Sequence, residues 1–444
     1  MSPARRGLVA SVFVLGVLGA GMAVRAEHVA RDEARHAASA ALTARNDSVL
    51  ELDIEFYEAR ATLDPYSAGD RTRLALLFLE RARRLGDIRD AQRAETMARA
   101  SYALRSAHNG AALSLLISSL LEQHRFIEAR DVARALVARD TSEIEPRALL
   151  AETELELGDY GAAGEMFRAL RPSWGTLAVA PRLARYLEII GRLDGARLVL
   201  TRARETASRD ATMSRGQLAW FDYRLGDFEL RAGRLPQART ALERGLEIAP
   251  DDHHLLSAMA RLEFARGRWR QASAFAERSI AVVPDPAVLG LLADAATAMG
   301  DTARTGEYVR ANRALSLGTP GPIHRAWSLF WLDRGEHVAE VLARAIDESR
   351  TRHDVYGDDV LSWALHKAGR NAEALVVSRR AIAQGTRDAS MLYHAGMIEQ
   401  AAGNHEAAQK HLELALATNP HFHPGQAAEA RTALQSLARR VASR

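Results

Sequence analysis

The chain has 444 residues, 48% hydrophobic and 26% charged, which is enough apolar sequence for a large core and too much for general disorder. Its 59 basic and 56 acidic residues leave a formal charge of +3, and arginines alternate with acids throughout, as in "ERARRLGDIRDAQRAE". That is the pattern of solvated helix faces and not of a nucleic-acid track. The chain has no cysteine, which excludes disulfides, thiolate metal sites and a cysteine nucleophile.

Residues 1–26 open with Arg5 and Arg6, followed by the uncharged apolar run "LVASVFVLGVLGAGMAV" at 8–24. Small residues at Val24 and Ala26 then precede "EH". This reads as a secretory signal peptide cut after Ala26, or as an N-terminal anchor in the inner membrane. Either reading implies export to the periplasm or cell envelope of a bacterium. Residues 27–71 form a leading helical segment, with "ELDIEFYEARATLDP" closing before Pro65.

From residue 72 to 422 a period of 34 residues sets the pattern. Gly335, Gly369 and Gly403 are 34 apart, as are Gly233 and Gly267. Five residues after the turn comes a small residue at Ala238, Ala272, Ala374 and Ala408, and seventeen after it a proline at Pro250, Pro284 and Pro420. Gly158, Gly191 and Gly300 keep the same frame, and His124 takes the glycine position one repeat before Gly158. Eight residues before each turn lies a bulky apolar side chain, such as Leu150, Leu225, Met259, Trp327 or Leu361. The spacing predicts two antiparallel helices per period, joined at a left-handed turn and packed closely through small residues. No such unit buries its apolar face alone, so the units must stack.

A 34-residue helix–turn–helix period with these residues resembles the tetratricopeptide repeat (TPR) family. The fold class this implies is all-α, a right-handed superhelical solenoid of about ten repeats. Units begin near residues 72, 110, 144, 177, 219, 253, 286, 321, 355 and 389. The unit at 286 departs most, with Thr305 and Asn312 where small apolar residues are usual, and "ETASRDATMSRG" extends the stretch before the unit at 219. Residues 423–444, an amphipathic stretch after Pro424, read as a capping helix. The closing region, from "DVYGDDVLSWALHKAGRNAEAL" to "NPHF", is similar to exported bacterial TPR proteins without settled activity.

No HExxH, P-loop, dinucleotide turn or G-x-S-x-G appears, so no enzyme class and no cofactor is expected. Asp251–Asp252 and Asp358–Asp359 read as helix caps. Five histidines crowd residues 391–424, and only the H-x-H of His421 and His423 resembles a metal-ligand spacing, a weak one. Trp327 and Trp331 belong to the packing seam, and Trp269 wedges between the helices of its repeat.

The resemblance implies that first helices line a concave surface whose non-core face contacts protein or peptide partners. Mapping that face gives Trp220, Tyr223, Asp227 and Arg261, then Arg325, Tyr356, Asp359, Trp363, His366, Lys367 and Tyr393. Aromatic rings beside Arg and Asp suit a peptide-binding patch. The carboxylate-gripping set of Lys, Asn and Arg known in the family is not reproduced around Lys367. The leading expectation is therefore an exported scaffold with no nucleic-acid partner. The alternatives are an envelope enzyme or metal-dependent accessory protein using the C-terminal histidines, and a self-assembling structural repeat protein.

Overall fold

The computed structural model describes residues 48–318 and 324–442. The expected signal peptide or anchor, residues 1–26, lies outside the described residues. No helix among the described residues is long and apolar enough to cross a membrane. The chain divides into two compact units, Met1–Leu52 and Asp53–Arg444. In the first, residues 48–52 are helical.

The second unit begins with helix over residues 53–63 and then consists, among the described residues, of ten helix pairs and a closing helix. The pairs are α1/α2 (Ala68–Leu85, Ile88–Leu104), α3/α4 (Gly110–Glu122, Phe126–Arg139) and α5/α6 (Ile144–Leu157, Tyr160–Ala169). Next come α7/α8 (Ala180–Ile189, Leu193–Arg209), α9/α10 (Arg215–Arg231, Leu235–Ile248) and α11/α12 (His253–Ala265, Trp269–Val282). Then follow α13/α14 (Pro286–Ala298, Thr302–Ser316) and α15/α16 (Arg325–Arg334, Val338–Glu348). The last are α17/α18 (Val355–Lys367, Asn371–Ile382) and α19/α20 (Ala389–Ala401, His405–Thr418), closed by α21 (Pro424–Ala442).

The 34-residue frame maps directly onto this architecture. Every intra-pair turn holds a residue in the left-handed region: Gly86, His124, Gly158, Gly191, Gly233, Gly267, Gly300, Gly335, Gly369 and Gly403. His124 adopts φ 56° there, a conformation that costs a non-glycine residue about 1–2 kcal/mol. Small residues let the paired axes approach: Ala238, Ala272, Ala374 and Ala408 are wholly buried. A Cβ on Gly396 would stand 2.6 Å from Leu412, and one on Gly226 would stand 2.5 Å from Leu242. The extension after α8 lengthens helices, so that α8 and α9 run 17 residues each, and Ser214 with Gln217 makes a capping box that starts α9. The irregular repeat at 286 satisfies its polar residues locally. Buried Asn312 donates Nδ2 to the Pro286 carbonyl (2.5 Å), and Thr305 donates to the Asp301 carbonyl (2.8 Å).

The stack winds so that each turn of the superhelix touches the next. The α1–α2 turn at Gly86 meets Val283 at the end of the sixth repeat. The third repeat meets the end of the eighth, where His353 N–H donates to the Leu157 carbonyl (3.3 Å) and Val355 N–H to the Tyr160 hydroxyl (2.7 Å). Gly191 of the fourth repeat abuts Gly385 after the ninth. In the fifth, the carbonyls of Leu230 and Arg231 accept from Asn419 Nδ2 at 3.1 and 3.3 Å, after the tenth repeat. A turn thus seats on the loop that ends the repeat five further on. One apolar cluster spans this contact, joining Tyr160, Phe167 and Leu183 to Val355 and Met391.

Candidate functional site

Several first helices carry polar side chains that pair with those of a neighbouring first helix. Asp227 on α9 accepts from Arg261 on α11 (2.8 Å) and from Arg231 (3.0 Å). Burial alone would raise its pKa, but Arg231, Arg261 and Arg224 outweigh that and hold the carboxyl well below its usual range. Arg325 on α15 donates to Asp359 on α17 (3.0 Å) and to Asp388 (3.3 Å). Desolvation opposes its charge, yet Asp388 and Asp359 leave its pKa above the ordinary arginine value. In both ladders, Asp227–Arg261 and Arg325–Asp359, the partners sit 34 residues apart at the same repeat position.

Tyr356 joins the two ladders. Its ring lies 5.4 Å from the Arg325 guanidinium and 6.0 Å from that of Arg185, at cation–π range. Burial raises its hydroxyl pKa, partly offset by Arg231 and Arg185. Arg185 itself pairs with Glu156 (2.9 Å), and Arg231 also binds Glu188. Sequence reading missed Arg185, Glu188 and Arg231. They lie on α7 and at the end of α9, where the inner face was not mapped, and the same Arg/Glu alternation was the signal available for them.

The mapped residues fall into two groups. Trp220 is 37% exposed, edge-on to Phe221 (5.0 Å), and Tyr223 is half-buried with its ring 5.2 Å from His254. Trp220 and Tyr223 are one helical step apart on α9; burial raises the Tyr223 hydroxyl pKa, Asp227 adds to it, and the half-exposed Arg261 opposes both. Trp363 and Tyr393 are instead core residues, 2% and 1% exposed. Trp363 Nε1 donates to Asp333 (2.8 Å), and its ring stacks on His394 (4.3 Å) and His366 (5.0 Å) with Lys367 Nζ 4.6 Å away. Tyr393 donates its hydroxyl to Glu429 on α21. The rings expected to face a ligand therefore fill the space between α15, α17, α19 and α21, because aromatic bulk is needed where three first helices and the capping helix converge.

Other expectations are corrected similarly. Asp252 does cap α11, accepting from Leu255 N–H. Asp358 and Asp359 do not cap α17, since Asp354 does. Asp358 takes a two-pronged pair with Arg380, while Asp359 accepts from both Arg325 and His394 Nδ1 (2.8 Å). His423 accepts the Gln426 N–H (3.4 Å) at the start of α21 and lies 5.7 Å from Phe264, and the His421 N–H is taken by Asn419. Among the described residues no three His, Asp or Glu side chains are grouped to hold a metal. A cleft of about 500 Å³ opens between His124–Glu128 and Arg344–Arg352, but its Arg125, Arg344, Arg350 and Arg352 all pair with carboxylates.

Two stretches match tetratricopeptide repeat family models, residues 229–295 and residues 389–422. The chain is a tetratricopeptide repeat protein. No curated protein matches it. Among solved structures, this TPR chain is similar to PilW, described as a widely conserved type IV pilus biogenesis factor. The identity is 18%, over 48% of this chain and 96% of that one, with a TM-score of 0.40. It is also similar to pilF of Pseudomonas aeruginosa, at 19% identity over 47% and 93% of the two chains and a TM-score of 0.38. A tetratricopeptide repeat protein from Parabacteroides merdae gives 16%, 55%, 93% and 0.38 for the same quantities.

Proposed function

We propose that this TPR protein is an exported scaffold of the bacterial envelope that binds protein or peptide partners, with no covalent chemistry of its own. The binding patch is the exposed part of the inner face, Trp220, Tyr223 and Arg261, with Asp227 holding Arg261 in place. The observation that supports it is an exposed indole and a half-buried phenol on the helix whose buried carboxylate, Asp227, fixes Arg261. Such a set needs little ordering when a partner arrives. The rest of the mapped set, Arg325, Tyr356, Asp359, Trp363, His366, Lys367 and Tyr393, supports the shape of the stack.

The test is site-specific photocrosslinking in the native envelope, with a crosslinker in place of Trp220 and, as control, in place of exposed Arg270 on α12. The same captured proteins recovered from Trp220 and absent from Arg270 are the expected result. Equal yields at both positions would remove the patch. Recovery of the protein only from the cytoplasmic fraction would remove the envelope.

A further inference from the structure

The helix preceding the first repeat has two apolar faces, and only one is used. On the inner side Ile54 is buried, Tyr57 is half-buried with the Arg73 guanidinium 5.9 Å from its ring, and Arg60 Nε donates to Asp70 (3.0 Å). These contacts tie the helix to α1. On the outer side Phe56 is 55% exposed and Leu63 is 85% exposed, with exposed Ala59 between them. Positions 56, 59 and 63 follow the 3–4 step of a coiled-coil seam, and in the sequence Leu52 and Val49 continue it backwards. Single exposed apolar residues need no explanation, but a row at this spacing does.

Charge separates the candidate occupants. Residues 48–63 carry Glu51, Asp53, Glu55 and Glu58 against one cation, Arg60. A helix that lies on an anionic lipid surface is rich in Lys and Arg beside its apolar face, and this one is the reverse. With Phe56 and Leu63 at a and Ala59 at d, Glu55 falls at g and Arg60 at e. In a parallel pair a g residue faces the e residue five positions on in the other helix. Arg60 keeps its Nε on Asp70 of its own chain and is still 53% exposed, so Glu55 of each copy meets the exposed part of the other's guanidinium, and two-fold symmetry supplies the contact twice. Asp53 faces Ser48 across the seam, so no like charges oppose each other. Ile54 and Ala61 fall at f, directly opposite the seam, so the repeats of the two copies lie on the far sides of the joined helices.

We propose that this seam pairs with the same seam of a second copy of the chain, in parallel register. About two heptads make a short coiled coil, so the pairing is concentration-dependent.

The absence of cysteine allows a direct test on the full chain. Under mild oxidation the Phe56→Cys variant is expected to form a disulfide-linked dimer. The Glu58→Cys variant, at an outward c position, is expected to stay monomeric. Light scattering should show the apparent mass of the unmodified chain rising toward twice the monomer with concentration, and the Leu63→Glu variant should hold it at the monomer with an unchanged melting midpoint. Equal crosslinking of both cysteine variants, no crosslinking of either, or a monomeric mass at every concentration would overturn the proposal. So would sedimentation of the monomer with phosphatidylglycerol vesicles through Phe56, which would assign the face to lipid.

Discussion

Gly158 sets its α-carbon against the backbone of His353, five repeats later, where a Cβ would stand 2.5 Å from the His353 carbonyl oxygen. Gly335 has nearly the same backbone, φ +70° against +87°, but nothing lies within 4 Å of its Cβ position. The two glycines separate the cost of a left-handed turn from the cost of closing the superhelix. Gly335→Ala is expected to destabilise by about 1 kcal/mol from backbone conformation alone. Gly158→Ala is expected to cost a further 1–3 kcal/mol or so, because the added methyl overpacks a contact made by main chain on both sides. Thermal midpoints of the two variants measure this. Equal shifts would mean that the superhelical turns do not touch in solution.

Asn419 closes the next contact along, and it does so with a buried side chain. Its Nδ2 serves the carbonyls of Leu230 and Arg231 at the C-terminal end of α9, the first of which also accepts the Gly233 N–H. Asn419→Ala should cost about 1–3 kcal/mol through unsatisfied buried groups. Hydrogen exchange gives the more specific readout. Amides around residues 230–234 and 416–422 should both lose protection, although nearly 190 residues separate them. Loss confined to the second segment would leave the contact without energetic weight.

The repeat frame was legible because it is local. A turn glycine, a small residue five later and a proline seventeen later each answer to contacts within one helix pair, and those contacts recur every 34 residues. Closure was not legible, because it depends on the rotation between neighbouring repeats summed over five of them. That sum decides which inner-face residues stay open, so Trp220 and Trp363 look alike in sequence and differ in burial. The acidic run had a similar fate. Asp354, Asp358 and Asp359 lie within six residues, any could cap α17, and only the position of the helix start selects Asp354 and releases the others to Arg380, Arg325 and His394.

The two tryptophans should therefore respond oppositely to truncation. Trp363→Ala empties a site enclosed by His394, His366 and Tyr393 and strips Asp333 of its indole donor, for an expected loss of about 3–5 kcal/mol. Trp220→Ala removes a ring already more than one-third exposed and should shift the melting midpoint little, while weakening partner capture. Denaturation of both variants, followed by near-ultraviolet dichroism, is the check. An unchanged midpoint in the Trp363 variant would return that ring to the groove.

His124 adds a pH dependence to the same closure. It takes the turn position of the second repeat at φ 56°, its ring 4.7 Å from that of His324, while the neighbouring Phe126 ring lies 4.9 Å from Arg352. Burial, then the fields of His324 and Arg352, push its pKa down to about 4, with Asp354 opposing and Arg185 adding slightly. The folded state thus prefers neutral His124, whereas the unfolded chain takes up the proton near pH 6.5. Between these values the unfolded state binds more protons, so stability falls as pH drops from 6.5 towards 4 and is fully present above 6.5. The contribution is of order 2 kcal/mol. His324, whose pKa is also lowered chiefly by burial, acts in the same direction. Asparagine tolerates the left-handed turn and carries no proton in this range, so the His124→Asn variant should keep the fold. Its stability at pH 5 relative to pH 7.5 should drop less than that of the unmodified protein, by about that amount. Parallel pH profiles of the two proteins would show that His124 does not feel the second superhelical turn.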